Sequence, residues 1–168
     1  FAVKGWPEAL STDLRVHAPH VKGSVAMPGH IGTSIALNTS QVHGKGGAMD
    51  MSSEEVAFMR SRYSEAGLPV DNLPDDDIRK MVLQVQEDFR DKAPTSASQA
   101  AKIILDGVRE ERWRILVGDD AYVLDEIVRE APEEAYEPSL GEKMRESGHF
   151  KLINSCLLYT SPSPRDLP

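Results

Sequence analysis

The stretch of sequence with the clearest chemical potential is residues 25–34, where an apolar run meets a glycine-rich turn. Pro28 and Gly29 end the run, and ligands of open parallel sheets bind beyond the carboxyl ends of strands. Gly29 would let a planar ring approach the backbone, Ile31 would offer amide hydrogen bonds, and Thr33 would add a hydroxyl. The pattern is compatible with a cofactor-binding turn, although from the spacing alone a turn that merely ends a strand is the more economical interpretation.

Other polar residues are weaker candidates for a site. His17 and His20 lie three apart and could share a helix face as metal ligands, but no third ligand follows at suitable spacing, which favours solvated histidines. His30 could contact a ligand from within the turn or face solvent, and we assign it no catalytic role. The acidic run 75–77 is typical of a solvated helix N-terminus. Residues 44–47 lack the spacing and the flanking strand and helix of a phosphate loop.

The composition describes one acidic globular unit. A length of 168 residues predicts about one domain, and 40% hydrophobic residues are enough for a core. The 19 Lys and Arg residues against 27 Asp and Glu residues give a net charge of −8, which argues against nucleic acid or anionic membrane as a partner. No apolar run approaches the roughly twenty residues that cross a bilayer. The single cysteine, Cys156, cannot form an internal disulfide, so we expect a cytoplasmic protein.

The elements that must position the turn are a helix before it and a strand leading into it. Trp6 and Leu10 recur at helical spacing, and Pro7 between them predicts a kink or a late helix start. Residues 21–27 alternate loosely and predict a short strand. The small polar residues and glycines of 31–47 predict a long loop without an apolar face.

Beyond that loop the pattern is helical, then extended, then helical again. Ser52 with Glu55, and Ser96 with Gln99, have the spacing of capping boxes that open two helices, with a further amphipathic helix between them. The compact apolar run 113–117 predicts a strand, followed by another helix. A strand, a helical crossover and a second strand are typical of parallel pairing in an α/β sheet.

The C-terminal region has little apolar patterning. Residues 131–138 are acidic and contain proline, and residues 140–148 are mostly charged, which predicts a surface tail with a short helix at most. Residues 155–168 continue no pattern from the preceding chain, and they resemble the translation of a sequencing-adapter remnant. We therefore expect the native sequence to be represented only to about Asn154, with 139–154 as a polar extension.

Five segments carry a resemblance to a known family. Residues 1–5, 8–10 and 13–14 are similar to a helix of classical short-chain dehydrogenases/reductases. Residues 28–33 resemble the Pro-Gly-x-Ile/Val-x-Thr turn of that family, and residues 114–118 resemble its last sheet strand. The resemblance covers most of the chain before the tail and corresponds to the C-terminal half of the family's domain. It implies an α/β fold with part of a Rossmann-like, doubly wound parallel sheet.

The resemblance also implies a cofactor, a substrate class and a domain organisation. In the family, the Pro-Gly turn contacts the nicotinamide carboxamide of NAD or NADP. Its matched positions in this sequence are Pro28, Gly29, Ile31 and Thr33. Residues 34–94 are expected to form a helical lid over the substrate, inserted within the domain of residues 1–138. The expected partners are a small alcohol or carbonyl substrate and a second copy of the protein.

The family's catalytic residues lie outside the resemblance. Its glycine-rich phosphate loop and its catalytic serine, tyrosine and lysine would all precede Phe1. No tyrosine in this sequence has a lysine four residues later, so none replaces the missing pair. We therefore assign no catalytic residue and no metal ligand, and we expect the chain alone to be inactive. The alternative interpretation is a non-catalytic, acidic, helical module that binds a protein partner.

Overall fold

The computed structural model of the protein describes residues 2–42, 44 and 46–149. No helix within these ranges has both the length and the apolar content needed to span a membrane. The residues expected to form a foreign tail, 155–168 with Cys156, lie outside the described residues. The described residues form an α/β structure, as the sequence predicts.

Two compact units divide the described chain, one of residues 2–32 with Ala93–His149 and one of Thr33–Lys92. The helices, in chain order, are α1 (Ala2–His17), α2 (Ile35–Val42), α3 (Ser53–Glu65), α4 (Asp75–Asp91), α5 (Ala97–Arg109), α6 (Asp119–Glu130) and α7 (Pro138–Glu146). Short 3-10 helices cover Ala48–Asp50 and Pro132–Tyr136. The strands are β1 (Val25–Pro28), β2 (Ile31–Gly32), β3 (Thr95–Ser96) and β4 (Arg114–Val117).

The strands of the first unit pair in parallel. Strand β1 lies beside β4 with Val25 opposite Arg114 and Pro28 opposite Val117, and β2 lies beside β3. The Gly29 N–H extends the first ladder by donating to the Val117 carbonyl oxygen at 3.0 Å. Parallel pairing across a helical crossover is therefore confirmed. The doubly wound, Rossmann-like sheet stays a prediction, because the described strands form two separate pairs.

The core of the first unit lies between β4 and α5. Ile115 and Val117 of β4 are completely buried, Ala100 of α5 is buried with them, and Ile31 packs against this cluster. The helix approaches the strand closely at Gly107, where an added Cβ would lie 2.7 Å from Cδ1 of Ile115. The core thus supports the strand that runs beside β1 and the residue that opens β2.

Two capping boxes begin the helices that the sequence predicts. The Ser52 hydroxyl accepts the Glu55 N–H at 3.2 Å, and the Glu55 carboxylate accepts the Ser52 N–H at 3.0 Å. The Ser96 hydroxyl and the Gln99 side chain form the same reciprocal pair at 3.3 and 2.9 Å. Each box satisfies backbone donors that a helix start leaves unpaired, which confirms both predicted starts.

The second unit has a hydrophobic cluster of its own, built mainly by α3 and α4. Its buried members are Ala48, Val56, Met59, Tyr63, Val70, Ile78 and Val82. Two guanidinium groups hydrogen-bond to the segments that precede α3 and α4. Arg60 donates to the carbonyl oxygens of Val70 and Leu73 at 2.9 and 2.6 Å, and Arg79 donates to that of Met51 at 2.8 and 3.0 Å.

The predicted loop over 31–47 is wrong in part, because it contains β2 and the eight-residue helix α2. The sequence of α2 lacks the apolar periodicity that signals a helix, which is why the helix was not predicted. In the structure α2 has no buried residue, and Ile35 and Val42 are exposed. The helix also contains neither glycine nor proline. Within it, the Thr39 hydroxyl donates to the Ile35 carbonyl oxygen at 2.6 Å.

The helix before the turn also differs from its prediction. Helix α1 runs through Pro7, so of the two predicted alternatives the late start is wrong, and the kink stays a prediction. Trp6 is exposed and Leu10 is partly buried, so only part of the apolar stripe is covered. The strand predicted over 21–27 begins at Val25.

The region after α6 is more structured than expected. A 3-10 helix and α7 occupy most of the predicted surface tail, and Met144 of α7 is buried. Lys143 and Glu134 form an ion pair at 2.7 Å. Met144 is the one buried residue of 131–149, so the region contributes little to the core, and the short helix expected there is present as α7.

Candidate functional site

The turn between β1 and β2 holds three of the four residues predicted to bind a cofactor. Pro28 ends β1, Gly29 follows it directly, and Ile31 opens β2. Thr33 is the first residue of the second unit and is partly buried. The turn therefore lies at the carboxyl end of a strand in a parallel pair, which is the edge where ligands of such sheets bind.

Three parts of the first unit hold the turn. The Gly29 N–H donates to the carbonyl oxygen of Val117, the last residue of β4. The His30 N–H donates to Oδ2 of Asp120 at 2.5 Å. Ile31 lies opposite Thr95 in the β2–β3 pair and packs against the core between β4 and α5. Gly29, His30 and Ile31 thus each pair with a residue of β4, α6 or β3, more than sixty residues later in the sequence.

Asp120 is the buried charge of this site. Asp120 is 1% exposed and lies in the first turn of α6. While Oδ2 accepts the His30 N–H, Oδ1 accepts the Ala121 N–H at 3.1 Å. A buried carboxylate is costly unless hydrogen bonds replace its lost hydration, and a helix N-terminus adds a favourable dipole. Both conditions are met here, so the charge can be accommodated inside the unit.

Two glycines leave the space that this carboxylate fills. A Cβ added to Gly29 would overlap the Asp120 carboxylate. Gly118 has a φ of +97°, and a Cβ there would lie 2.6 Å from Oδ1 of Asp120 and 2.8 Å from Oγ1 of Thr95. The sequence suggested that glycine is needed at position 29 to leave room for a planar ring. The structure shows another reason for glycine there, because the Asp120 carboxylate approaches its Cα closely.

The other sequence candidates do not assemble into a site. Helix α1 ends at His17, so His17 and His20 do not share a helix face, and Nδ1 of His17 lies 3.0 Å from the Asp13 carboxylate. Within the described residues, no group of three His, Cys, Asp or Glu side chains is arranged to hold a metal. The acidic run 75–77 begins α4 and forms ion pairs with Arg60, Arg79 and Lys80, as a helix N-terminus would.

Sequence reasoning missed the groups that fix the turn. It predicted a strand over 113–117 and a helix after it, and it assigned Thr95, Gly118 and Asp120 no role in the turn. The available signal was a glycine directly after a β-branched run, followed by two aspartates. Because the carboxyl ends of neighbouring parallel strands meet at one edge, a polar group after β4 had to lie near the turn after β1.

The comparisons with known proteins identify no relative: no family model, curated protein or solved structure matches the chain. The chemistry of the turn is therefore given by its own groups. Pro28, Gly29 and Ile31 have no ionisable side chain, Pro28 has no N–H, and the Gly29 N–H already donates to Val117. What these residues offer is main-chain carbonyl acceptors, the peptide group of Ile31 and an apolar surface. Such a turn is suited to binding and orienting a ligand, while proton transfer requires residues of another kind.

Proposed function

We propose that this chain is the C-terminal part of an NAD(P)-dependent short-chain dehydrogenase/reductase that interconverts a small alcohol and a carbonyl in the cytoplasm. The observation that carries the proposal is the turn Pro28–Gly29–His30–Ile31, held by hydrogen bonds at the carboxyl end of a strand in a parallel pair. The family resemblance of residues 1–5, 8–10, 13–14, 28–33 and 114–118 supports it.

The residues of the turn fit one end of a nicotinamide ring. A carboxamide has both donors and an acceptor, which the Gly29 carbonyl oxygen and the Ile31 peptide group can complement. The family resemblance implies the same role for the Thr33 hydroxyl. Pro28 is exposed and Gly29 partly buried, so the turn is accessible to a ligand. The Asp120 carboxylate occupies the space where a Cβ on Gly29 would lie. A nicotinamide ring would therefore have to approach the turn from another side.

In the proposed enzyme the coenzyme supplies or accepts the hydride, and this chain orients it. The proton that balances the reaction at the substrate oxygen requires an acid–base side chain. That group and the phosphate-binding loop belong to the sequence proposed to precede Phe1. Residues 34–94 are proposed as the substrate lid, and the separate hydrophobic cluster of the unit Thr33–Lys92, which covers most of this segment, supports the proposal.

The test compares this chain with the same chain preceded by its natural upstream sequence. We expect the extended protein to bind NADH or NADPH, detected as a change in nicotinamide fluorescence, and to oxidise or reduce a member of an alcohol and carbonyl panel. We expect the present chain alone to give no turnover. The proposal is wrong if the extended protein binds neither nucleotide, or if the present chain alone is active.

A second candidate is a non-catalytic module that binds a protein partner. The observation that favours it is the set of exposed large apolar side chains in the second unit, including Ile35, Val42 and Phe58. An upstream sequence without a Tyr-x-x-x-Lys motif and without a glycine-rich strand-to-helix turn would favour this candidate over the enzyme.

A further inference from the structure

We propose that Asp120 is a positioning residue for the coenzyme turn, fixing the main chain at Gly29 and His30 before the nicotinamide arrives. The inference rests on the proposed function and adds to it a residue that the sequence resemblance does not include. Asp120 itself does not touch the ligand in this account. It acts through the turn, and its effect is on the part of the coenzyme that the turn contacts.

The contacts of Asp120 are directed at the turn. Its Oδ2 atom accepts the N–H of His30, which is 90 residues away in the sequence, at 2.5 Å. Its Oδ1 atom accepts the N–H of Ala121 at 3.1 Å. The carboxylate therefore joins the start of α6 to the residue between the two proposed ligand contacts, Gly29 and Ile31.

The chain makes unusual room for this carboxylate. Gly29 and Gly118 both lie where a Cβ would collide with it, and Gly118 adopts a φ of +97° that other residues rarely adopt. Its neighbour Asp119 is exposed, whereas Asp120 is 1% exposed. Two glycines from distant segments thus accommodate one side chain, which is more than a helix start requires.

Removal of this carboxylate would free the turn. The partly buried His30 N–H would lose the Asp120 carboxylate as its acceptor. A partly buried donor without an acceptor favours conformations that reach water or another acceptor. A turn with several conformations must be ordered when the ligand binds, and that cost appears as weaker affinity. Since only the nicotinamide end contacts the turn, affinity for a coenzyme fragment without nicotinamide should be unaffected.

The experiment uses the protein with its natural upstream sequence and compares Asp120→Asn with Asp119→Asn. The control removes an exposed charge from the same helix turn, so it reproduces the change in helix-dipole interaction. Dissociation constants are measured for NADH, for NADPH and for ADP-ribose, which lacks the nicotinamide. For Asp120→Asn we expect about tenfold weaker binding of the preferred dinucleotide, equivalent to about 1.4 kcal/mol, and unchanged binding of ADP-ribose. Asp119→Asn should leave both constants unchanged.

The possible outcomes separate this inference from the proposed function. If the unsubstituted protein binds neither dinucleotide, the proposed function is wrong and the inference fails with it. If it binds normally and Asp120→Asn weakens dinucleotide and ADP-ribose equally, or weakens neither, the inference alone is overturned. Should Asp120→Asn fail to fold by circular dichroism, Asp120→Ser, which keeps a small acceptor, is titrated instead with the same criteria.

Discussion

The carboxylate of Asp120 occupies the space that a side chain on Gly29 would need. We expect Gly29→Ala to lower the free energy of unfolding by about 1–3 kcal/mol, because a buried overlap forces the backbone or the carboxylate to move. With Asp120→Ala already present, the same substitution should cost much less. Urea unfolding of the four proteins of this double-mutant cycle measures the difference. Additive effects would mean that the two residues do not compete for this space.

A second buried group is the hydroxyl of Tyr63 in the second unit. Tyr63 is 2% exposed, and its hydroxyl oxygen has no hydrogen-bond partner among the described residues. Burial raises the pKa of this hydroxyl above its ordinary value of 10.0. The folded protein therefore holds the proton more tightly than the unfolded protein, so the stability contribution is complete below about pH 10 and is lost as pH rises through the folded pKa.

For Tyr63→Phe we expect a free energy of unfolding at pH 7 that is unchanged or higher, because the substitution removes an unpartnered polar atom and keeps the ring. Above pH 10 the variant should become increasingly more stable than the parent, by at most about 1.4 kcal/mol per pH unit. Urea unfolding at pH 7 and pH 11 tests this. A constant difference between the two proteins at both pH values would contradict it.

At the residue scale, the sequence located the turn but not what holds it. Pro28 and Gly29 are visible because glycine and proline are local signals. The role of Asp120 depends on a contact across 90 residues, and a single sequence offers no local pattern for such a contact. The sequence could therefore not predict that the Asp120 carboxylate occupies the space beside Gly29.

At the scale of single elements, the two glycines inside helices α5 and α7 differ in their surroundings. A Cβ on Gly107 would lie 2.7 and 2.8 Å from two atoms of the buried Ile115 side chain, whereas a Cβ on Gly141 would contact nothing within 4 Å. Alanine is favoured over glycine in a helix by up to about 1 kcal/mol. At Gly107 that gain is opposed by overpacking, which costs about 1–3 kcal/mol.

We therefore expect Gly107→Ala to destabilise the protein and Gly141→Ala to stabilise it slightly. Thermal unfolding followed by circular dichroism at 222 nm would report opposite shifts in Tm. Equal shifts for the two variants would show that α5 does not lie as close to β4 as described. Gly141→Ala is the matched control because it makes the same chemical change in a helix with free space around it.

The elements that could be predicted are those with local signals. The capping boxes at Ser52 and Ser96 depend on side chains three residues apart, so the starts of both helices can be predicted from the local sequence. Helix α2 was missed because it buries no residue and shows no apolar period. At Pro7 the sequence left a kink and a late start open, and the structure excludes the late start because α1 begins at Ala2.

At the scale of the whole molecule, ten of the twelve buried apolar residues among the described residues form two clusters of different size. The cluster of the second unit has seven buried members among the described residues, and that of the first unit has three. Because burial of apolar surface contributes about 25 cal/mol per Å², we expect the second unit to be the more stable. Hydrogen exchange in increasing urea should release amides of α5 and β4 before those of α3 and α4. Simultaneous release of all four elements would contradict this expectation.

The architecture could be predicted only to the level of parallel α/β pairing. Two strands joined by a long helical crossover usually pair in parallel, and β1 and β4 do so. The described strands form two separate pairs, and two pairs do not define the strand order of a doubly wound sheet. The family assignment and the cofactor therefore stay predictions, and the upstream sequence is the observation that tests both.

Pro28 has a consequence for self-association of the protein. Along β1, the N–H groups of Val25 and Gly29 point towards β4, so those of alternate residues point to the opposite edge. Ala26 supplies such a donor, but Pro28, as an imino acid, has none. A foreign strand that docked along this edge would find one backbone donor within β1 and then a gap, so the edge is a poor template for fibril growth.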